Sequence, residues 1–452
     1  MKQTKASLTS GNVRTSMILF SLPMIAGNLL QQLYNIVDTL IVGRFLGVIP
    51  LSAVGTSYPL MVLLTSIVLG LCMGSGVVCS IFYGSSETDD LKSSIFNSFV
   101  FIAIITIILN VSVVLLLDPL LVWMKVPAEA LEDTRLYLSI IFLGIGFTSL
   151  YNFCTTVVRS IGNSVAPLIF LAIASVLNIV LDIFFISGLH MGVDGAAWAT
   201  ILSQAVSAIG MLLYLIFKKP ELLPKRQHCH LNRSILKRII QNSVLTSIQQ
   251  SIMNLGILMI QGLVNSFGVA AMAAFAAAVK IDSFAYMPAQ DFGNAFSTFI
   301  AQNFGAKKHT RIHEGIRVAS VLSFVFCLVV SGLVALFASP LLQIFIDGSE
   351  TEILNIGVTY LRIEGVCYVG IGILFLLYGL YRGLEQAQMS IVLTVLSLGT
   401  RVVLAYLLAP TSLGLIGIWI AIPVGWFLAD AVGIVYFFKI RHKLQHLEEA
   451  DR

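Results

Sequence analysis

Long apolar segments recur along the whole chain and constrain its fold more than any other feature. Only 11% of the 452 residues are charged and 57% are hydrophobic, whereas a soluble domain has about 25% charged residues. Twelve segments reach the roughly 20 residues that an α-helix needs to cross a bilayer. Their predicted limits are 16–42, 51–83, 93–117, 131–158, 166–187, 195–217, 237–263, 271–303, 312–337, 351–381, 389–408 and 415–438. We therefore predict an all-α polytopic membrane protein with 12 transmembrane helices.

The distribution of charged residues predicts the orientation. Most of the 27 Lys and Arg residues fall at every second connection, whereas acids such as Glu129 and Glu350 fall at the others. Basic connections stay in the cytoplasm. Because the number of spans is even, we expect both termini in the cytoplasm.

The two halves of the chain align with each other at a nearly constant offset of 221 to 223 residues. The pairs that show it are Gly47 with Gly268, Arg159 with Arg382, and Gly192 with Gly414. This repeat predicts two pseudo-symmetric six-helix lobes with a cavity between them. We place the N-lobe at 1–217, a basic cytoplasmic linker at 218–236, the C-lobe at 237–438 and a cytoplasmic tail at 439–452.

Two carboxylates lie inside apolar segments of the N-lobe. An acid in mid-membrane costs at least ~2.5 to 3.5 kcal/mol and is rare without a function. Asp38 is in the first segment and Asp182 in the fifth, while the offset places Met259 and Leu404 at the equivalent C-lobe positions. Since the second copy lacks these acids, the helical bundle itself does not require them.

These acids predict a site for a coupling cation. A carboxyl group in a low-dielectric medium can bind and release a proton, and amides beside it can help to hold Na⁺. Asn35 and Asn178 lie about one helical turn before the two acids and share their helix faces. The predicted H⁺ or Na⁺ site comprises Asp38, Asp182, Asn178, Asn152 and Asn35. The alternative is that they are polar residues that only tie helices together.

Other polar, aromatic and Met residues are candidates for a substrate cavity. They are Gln31, Gln32, Tyr34, Tyr151, Lys280, Asp282, Met259, Met287 and Phe284. Met and aromatic side chains suit flat organic cations, although ordinary helix packing explains any single one of them. Lys280 and Asp282 do not share a helix face, so each needs another partner, for which Glu364 and Arg401 are candidates.

Several function classes lack their signatures. The sequence has no GxxxxGK[ST] phosphate loop, so we expect neither ATP hydrolysis nor any other enzyme activity. The histidines lie in or beside predicted loops without a metal-site context, and the cysteines have no metal or disulfide spacing. We expect no cofactor other than the coupling ion, no nucleic-acid partner and no requirement for an oligomer.

Four motifs together resemble the multidrug and toxic compound extrusion (MATE) family over nearly the whole chain. They are Val37-Asp-Thr-Leu-Ile-Val-Gly-Arg44 followed by Leu51-Ser-Ala-Val-Gly55, Arg159-Ser-Ile-Gly-Asn163, Asn178 to Asp182, and Met287-Pro-Ala289 through Gln302-Asn-Phe-Gly-Ala306. The resemblance implies a cation-coupled antiporter of the inner (cytoplasmic) membrane that exports organic, mostly cationic compounds by alternating access. Asp38, Asp182 and Asn178 match its N-lobe cation-site positions.

The resemblance also sets the alternatives. Some members use acids on segments seven and ten, but here segment seven has none and Glu364 lies near the outer end of segment ten. This departure favours H⁺ over Na⁺, with a Na⁺-coupled antiporter as the alternative. A flippase for a lipid-linked precursor would need more bases in the cavity than Lys280 and Arg401. A scaffold or receptor would not need acids restricted to one lobe. Membrane lipids are the remaining expected partner.

Overall fold

A computed structural model describes residues 8–124 and 126–450. Ten helices in this part of the chain are individually long and apolar enough to cross a membrane, and two bent helix pairs bring the total to twelve if each pair is one span. The predicted all-α fold with twelve spans is therefore confirmed. Residues 1–7 and 451–452, which carry the predicted cytoplasmic termini, lie outside the described residues.

The first six spans are formed by seven helices. These are α1 (Val13–Phe45), α2 (Val48–Gly84), α3 (Thr88–Trp123), α4 (Ala128–Leu143), α5 (Ile145–Ser160), α6 (Val165–Asp182) and α7 (Val193–Lys218). A π-helical turn, Ile183–Gly188, extends α6. The predicted linker contains two short 3₁₀ turns, Pro220–Leu222 and Arg226–His228.

The second six spans are also formed by seven helices. These are α8 (Arg233–Asn265), α9 (Val269–Gly305), α10 (His309–Leu342), α11 (Thr351–Gly365), α12 (Tyr368–Gly383), α13 (Ala387–Leu408) and α14 (Gly414–Ala450). The order of elements is the same in both halves: a bent helix pair (α4 with α5, and α11 with α12) is followed by two further spans.

Two spans that the sequence predicts as continuous are broken. The fourth bends by 42° between α4 and α5 at Gly144, and the tenth bends by 52° between α11 and α12 at residues 366–367. The breaks are 222 residues apart, which is the offset of the internal repeat. Helices α1, α2 and α9 run as single helices through Pro23, Pro59 and Pro288.

The chain forms two compact units. The N-terminal unit is Leu22–Ser247, and the C-terminal unit joins residues up to Ser21 with residues from Ile248 onward. These units differ from the predicted lobes at the starts of α1 and α8. Each of these two long helices begins in one unit and continues in the other.

Close packing against α2 explains why α8 begins in the N-terminal unit. A Cβ on Gly74 would lie 2.4 Å from the carbonyl oxygen of Asn242, and a Cβ on Gly70 would lie 2.3 Å from Cα of Ser247. The Ser243 hydroxyl donates to the Leu71 carbonyl at 2.9 Å. Small residues thus let the two backbones meet, as is common between membrane helices.

Residues 8–11 form an N-terminal strap on the C-terminal unit. Arg311 donates from Nε to the Leu8 carbonyl at 3.1 Å, from Nη2 to Ser10 at 2.8 Å and from Nη1 to Gly11 at 2.7 Å. Lys308 donates to the Thr9 carbonyl at 2.8 Å. The Leu8 side chain is buried. These contacts tie the start of α1 to α10.

Candidate functional site

Asp38 of α1 and Asp182 at the end of α6 meet inside the N-terminal unit. Asp182 is fully buried and Asp38 is partly buried. Their carboxyl groups lie within hydrogen-bonding distance of each other. A hydrogen bond between two carboxyl groups needs a proton on one of them, because an ionised carboxylate is only an acceptor. The arrangement is therefore chemically suited to holding one shared proton.

Protein donors leave much of this acid pair unsatisfied. Within the described part of the chain, Oδ1 of Asp38 and both carboxyl oxygens of Asp182 accept no hydrogen bond from an amide, amine or hydroxyl group. Asn178 is also buried, and within the described chain its side-chain nitrogen donates no hydrogen bond and its side-chain oxygen accepts none. Acceptor oxygens without donors are what an incoming proton or small cation requires.

The local structure of α6 places these groups. Asn178 and Asp182 are four residues apart and share one face of the helix. The helix changes to π geometry directly after Asp182. Single π-helical turns are rare and occur often at functional sites.

Two tyrosines border the acid pair. The hydroxyl groups of Tyr34 and Tyr137 are within electrostatic range of both acids, and Gln31 forms a hydrogen bond with Tyr34. Tyr34 and Gln31 were predicted as cavity residues from the sequence. Tyr137 of α4 is buried and was not predicted, because a lone Tyr in an apolar helix gives no signal that separates it from core residues.

The remaining N-terminal candidates have contacts within or near their own helices. Asn152 donates to the Thr148 carbonyl at 2.8 Å, and the Tyr151 hydroxyl donates to the Pro167 carbonyl at 3.0 Å. The Asn35 amide lies 3.5 Å from the Gln32 side-chain oxygen. A direct role of these residues in ion or substrate binding stays a prediction.

A second buried acid cluster lies in the C-terminal unit. The Tyr360 hydroxyl is 3.1 Å from Oδ2 of Asp282 and 2.9 Å from Oε2 of Glu364, and the two acids interact directly. Tyr368 also donates to Asp282. Arg401 is within electrostatic range of both acids. The sequence proposed Glu364 and Arg401 as possible partners of Asp282, and the structure places both near it.

The break in the tenth span builds this cluster. Glu364 is in the last turn of α11 and Tyr368 is the first residue of α12, so the bend between them lets both reach Asp282 of α9. Broken membrane helices often form ion and substrate sites. Segment seven has no acid and Glu364 lies near the outer end of segment ten, which disfavours a Na⁺ site in this half. The two acids that meet here come from segments eight and ten.

The other predicted cavity residues of the second half are Lys280, Met259, Phe284 and Met287. Lys280 is exposed, with its amine 5.7 Å from the centre of the Phe345 ring. Met259 is 51% exposed, and Phe284 and Met287 are partly buried. Their role in substrate binding stays a prediction.

Comparisons with known proteins agree with this architecture. The MatE family profile matches residues 23–184 and 243–407. A probable multidrug resistance protein of Bacillus subtilis, YpnP, is 31% identical over 97% of this chain and 98% of its own length. The probable multidrug resistance protein NorM of Thermotoga maritima is 28% identical over 94% and 92%.

Solved structures show the same fold. A MOP superfamily transporter from Pyrococcus furiosus superposes with a TM-score of 0.92 at 24% identity, covering 99% of both chains. A multidrug resistance MATE family transporter in an outward-facing conformation gives the same score, identity and coverage.

Twelve spans arranged as a tandem repeat, with acids buried inside both units, define a polytopic membrane protein of the transporter class. The chain belongs to the MatE family of multidrug efflux transporters. The family resemblance found in the sequence is thereby confirmed, and membership of a transporter family rather than an enzyme family agrees with the absence of enzyme motifs in the sequence.

Proposed function

We propose that this protein is a proton-coupled antiporter that exports organic, mostly cationic compounds across the cytoplasmic membrane by alternating access. The observation that supports this most strongly is the contact between the carboxyl groups of Asp38 and Asp182. It provides a proton-binding pair at a depth where an uncompensated charge is costly. Both acids come from one chain, so transport does not require a second copy.

The pair couples proton entry to export through its charge. A proton from outside neutralises part of the pair, which lowers its attraction for a bound organic cation and favours release of that cation. The protonated protein then returns to the inward-facing state and releases the proton. At 100 mV, each net charge that crosses the membrane supplies ~2.3 kcal/mol, which is a gradient of more than tenfold. When one H⁺ enters for one monovalent cation that leaves, the charges cancel and the pH gradient alone drives export.

The choice of substrate rests on the relatives and on the lining chemistry. The Bacillus and Thermotoga relatives carry multidrug resistance names. Carboxylates, Tyr, Met and Phe side chains favour cations with flat apolar bodies. These observations favour organic cations over the lipid-linked precursor of a flippase, whose pyrophosphate would need several bases.

The first test replaces the acid of α1. Asp38→Asn retains the size and polarity of the side chain but cannot bind a proton at the same site. We expect ethidium export by proteoliposomes under an imposed pH gradient to fall at least ~100-fold, which is the scale of losing a proton-transfer group. Asp90→Asn, at an exposed acid in the first turn of α3, is the matched control and should export normally.

Imposed ion gradients show whether H⁺ or Na⁺ is coupled to export. Wild-type proteoliposomes should export ethidium with a pH gradient in Na⁺-free buffer and fail with a Na⁺ gradient at equal pH. Export by well-folded Asp38→Asn at the wild-type rate would refute the role of the pair, and export with Na⁺ alone would refute proton coupling.

A further inference from the structure

A third buried acid, Asp430, lies in the last spanning helix. It is 4% exposed and sits inside the apolar part of α14, Gly414–Lys439. It is nine residues before Lys439, which is about 13 Å along the helix axis. Asp430 therefore lies within the membrane rather than at its surface.

The carboxyl group of Asp430 has no hydrogen-bond donor among the described residues. Neither of its oxygens accepts a hydrogen bond from a residue in the described part of the chain. An ionised carboxylate without a partner is very unfavourable in such a place, whereas a protonated carboxyl is tolerated. The side chain thus holds a proton in this conformation, and losing it requires a change in its surroundings.

Two neighbouring helices face Asp430. A Cβ on Gly433, one turn further along α14, would lie 2.6 Å from Leu377 of α12 and 3.2 Å from Leu393 of α13. Tyr378 of α12 is within electrostatic range of Asp430 and forms a side-chain hydrogen bond with Thr394 of α13.

Two guanidinium groups lie in this region. Arg401 of α13 is within electrostatic range of Tyr378 and lies 5.9 Å from the ring of Trp426, one turn before Asp430. Arg382 of α12 lines a cavity together with Tyr378.

Tyr378 also lines a small polar cavity. The cavity is lined by Gln249, Gln250, Met253, Gln290, Asn294, Phe375, Tyr378 and Arg382. Five of these eight side chains carry amide or guanidinium groups, which suit water and hydrogen-bonded proton transfer. A tyrosine hydroxyl both donates and accepts, so it can pass a proton between two groups. In this conformation the Tyr378 hydroxyl does not donate to the Asp430 carboxyl, so the two groups must come together before a proton passes between them.

We propose that Asp430 is a proton-binding site of the C-terminal unit, in addition to the acid pair of the N-terminal unit, and that it exchanges its proton with the polar cavity through Tyr378. Once a change of conformation brings the Tyr378 hydroxyl to the carboxyl group, the proton moves from the carboxyl group to the tyrosine oxygen while the tyrosine proton passes to the cavity, so that Tyr378 ends neutral. The ligand is H⁺ itself, and its binding does not depend on transport activity.

Infrared spectroscopy of the full chain in lipid nanodiscs tests the proton directly. A protonated carboxyl group has a C=O stretching band that shifts in D₂O. We expect Asp430→Asn to lose one carboxyl equivalent of this band, and Asp430→Leu to lose the same amount if the amide variant folds poorly. Asp118→Asn, at an exposed acid paired with Arg135, is the control and should lose none.

The path is tested by the rate of exchange. After a pH jump, the Asp430 band should change about 100-fold more slowly in Tyr378→Phe than in the wild type. A wild-type band in folded Asp430→Asn and Asp430→Leu would overturn the proton site. Wild-type exchange in Tyr378→Phe would overturn the route through the tyrosine.

Discussion

At the scale of single residues, the buried acids of this chain avoid an uncompensated charge in different ways. Asp38 and Asp182 face each other, so that one proton can serve two carboxyl groups. Asp282 and Glu364 share the hydroxyl of Tyr360. Asp430 accepts no hydrogen bond from the described residues and lies within electrostatic range of Tyr378. The three arrangements differ in the number of polar side chains that contact the buried carboxyl groups.

The Arg311 side chain, which donates three hydrogen bonds to backbone carbonyls, allows a prediction at this scale. Its guanidinium holds three backbone carbonyls of the N-terminal strap. Arg311→Gln should raise amide hydrogen exchange in residues 8–16 at least roughly tenfold, because hydrogen bonds from a charged donor stabilise by about 1.5 to 3 kcal/mol each. Mass spectrometry of exchanged peptides measures this.

The control for that experiment lies on the same helix. Arg317 is exposed, so Arg317→Gln should leave the exchange of residues 8–16 unchanged. Equal exchange in wild type and Arg311→Gln would mean that the strap is held by burial of Leu8 rather than by the guanidinium.

At the scale of helices, most of the fold follows from the sequence because spanning helices need long apolar runs. The breaks at Gly144 and at residues 366–367 could not be predicted, since the apolar pattern continues through both. The meeting of Asp38 with Asp182 could be predicted from the sequence because acids are rare in long apolar runs. The same rule selects Asp430, which our sequence analysis passed over, whereas the contribution of Tyr137 depends on tertiary packing that no local pattern contains.

The close crossing of α2 and α8 gives a prediction for helix packing. Gly74→Ala places a methyl group 2.4 Å from the Asn242 carbonyl oxygen. Overpacking of this kind costs typically 1 to 3 kcal/mol, so the midpoint of thermal unfolding in detergent should fall by several degrees.

The same helix provides the matched control. A Cβ on Gly55 of α2 would have nothing within 4 Å. Gly55→Ala should therefore leave the midpoint unchanged or raise it, because Ala favours a helix by up to ~1 kcal/mol. Equal stability of Gly74→Ala and Gly55→Ala would contradict the close crossing.

At the scale of the whole molecule, a native cysteine can report the predicted orientation. Cys229 lies in the linker and is the exposed thiol among the described cysteines, while Cys367 is partly buried and the others are buried. If the linker is cytoplasmic, a membrane-impermeant maleimide should label inverted vesicles and leave intact cells unlabelled. Cys229→Ser should abolish the labelling, and labelling of Cys229 in intact cells would reverse the orientation.

The N-terminal strap also has a consequence for synthesis. Asn303, which donates to the Leu8 carbonyl, follows it by 295 residues. At about 5 to 20 residues per second, a ribosome needs roughly 15 to 60 s to reach that partner. During this interval the strap cannot form its hydrogen bonds with α9 and α10, so residues 8–11 reach their final position only after these helices have been made.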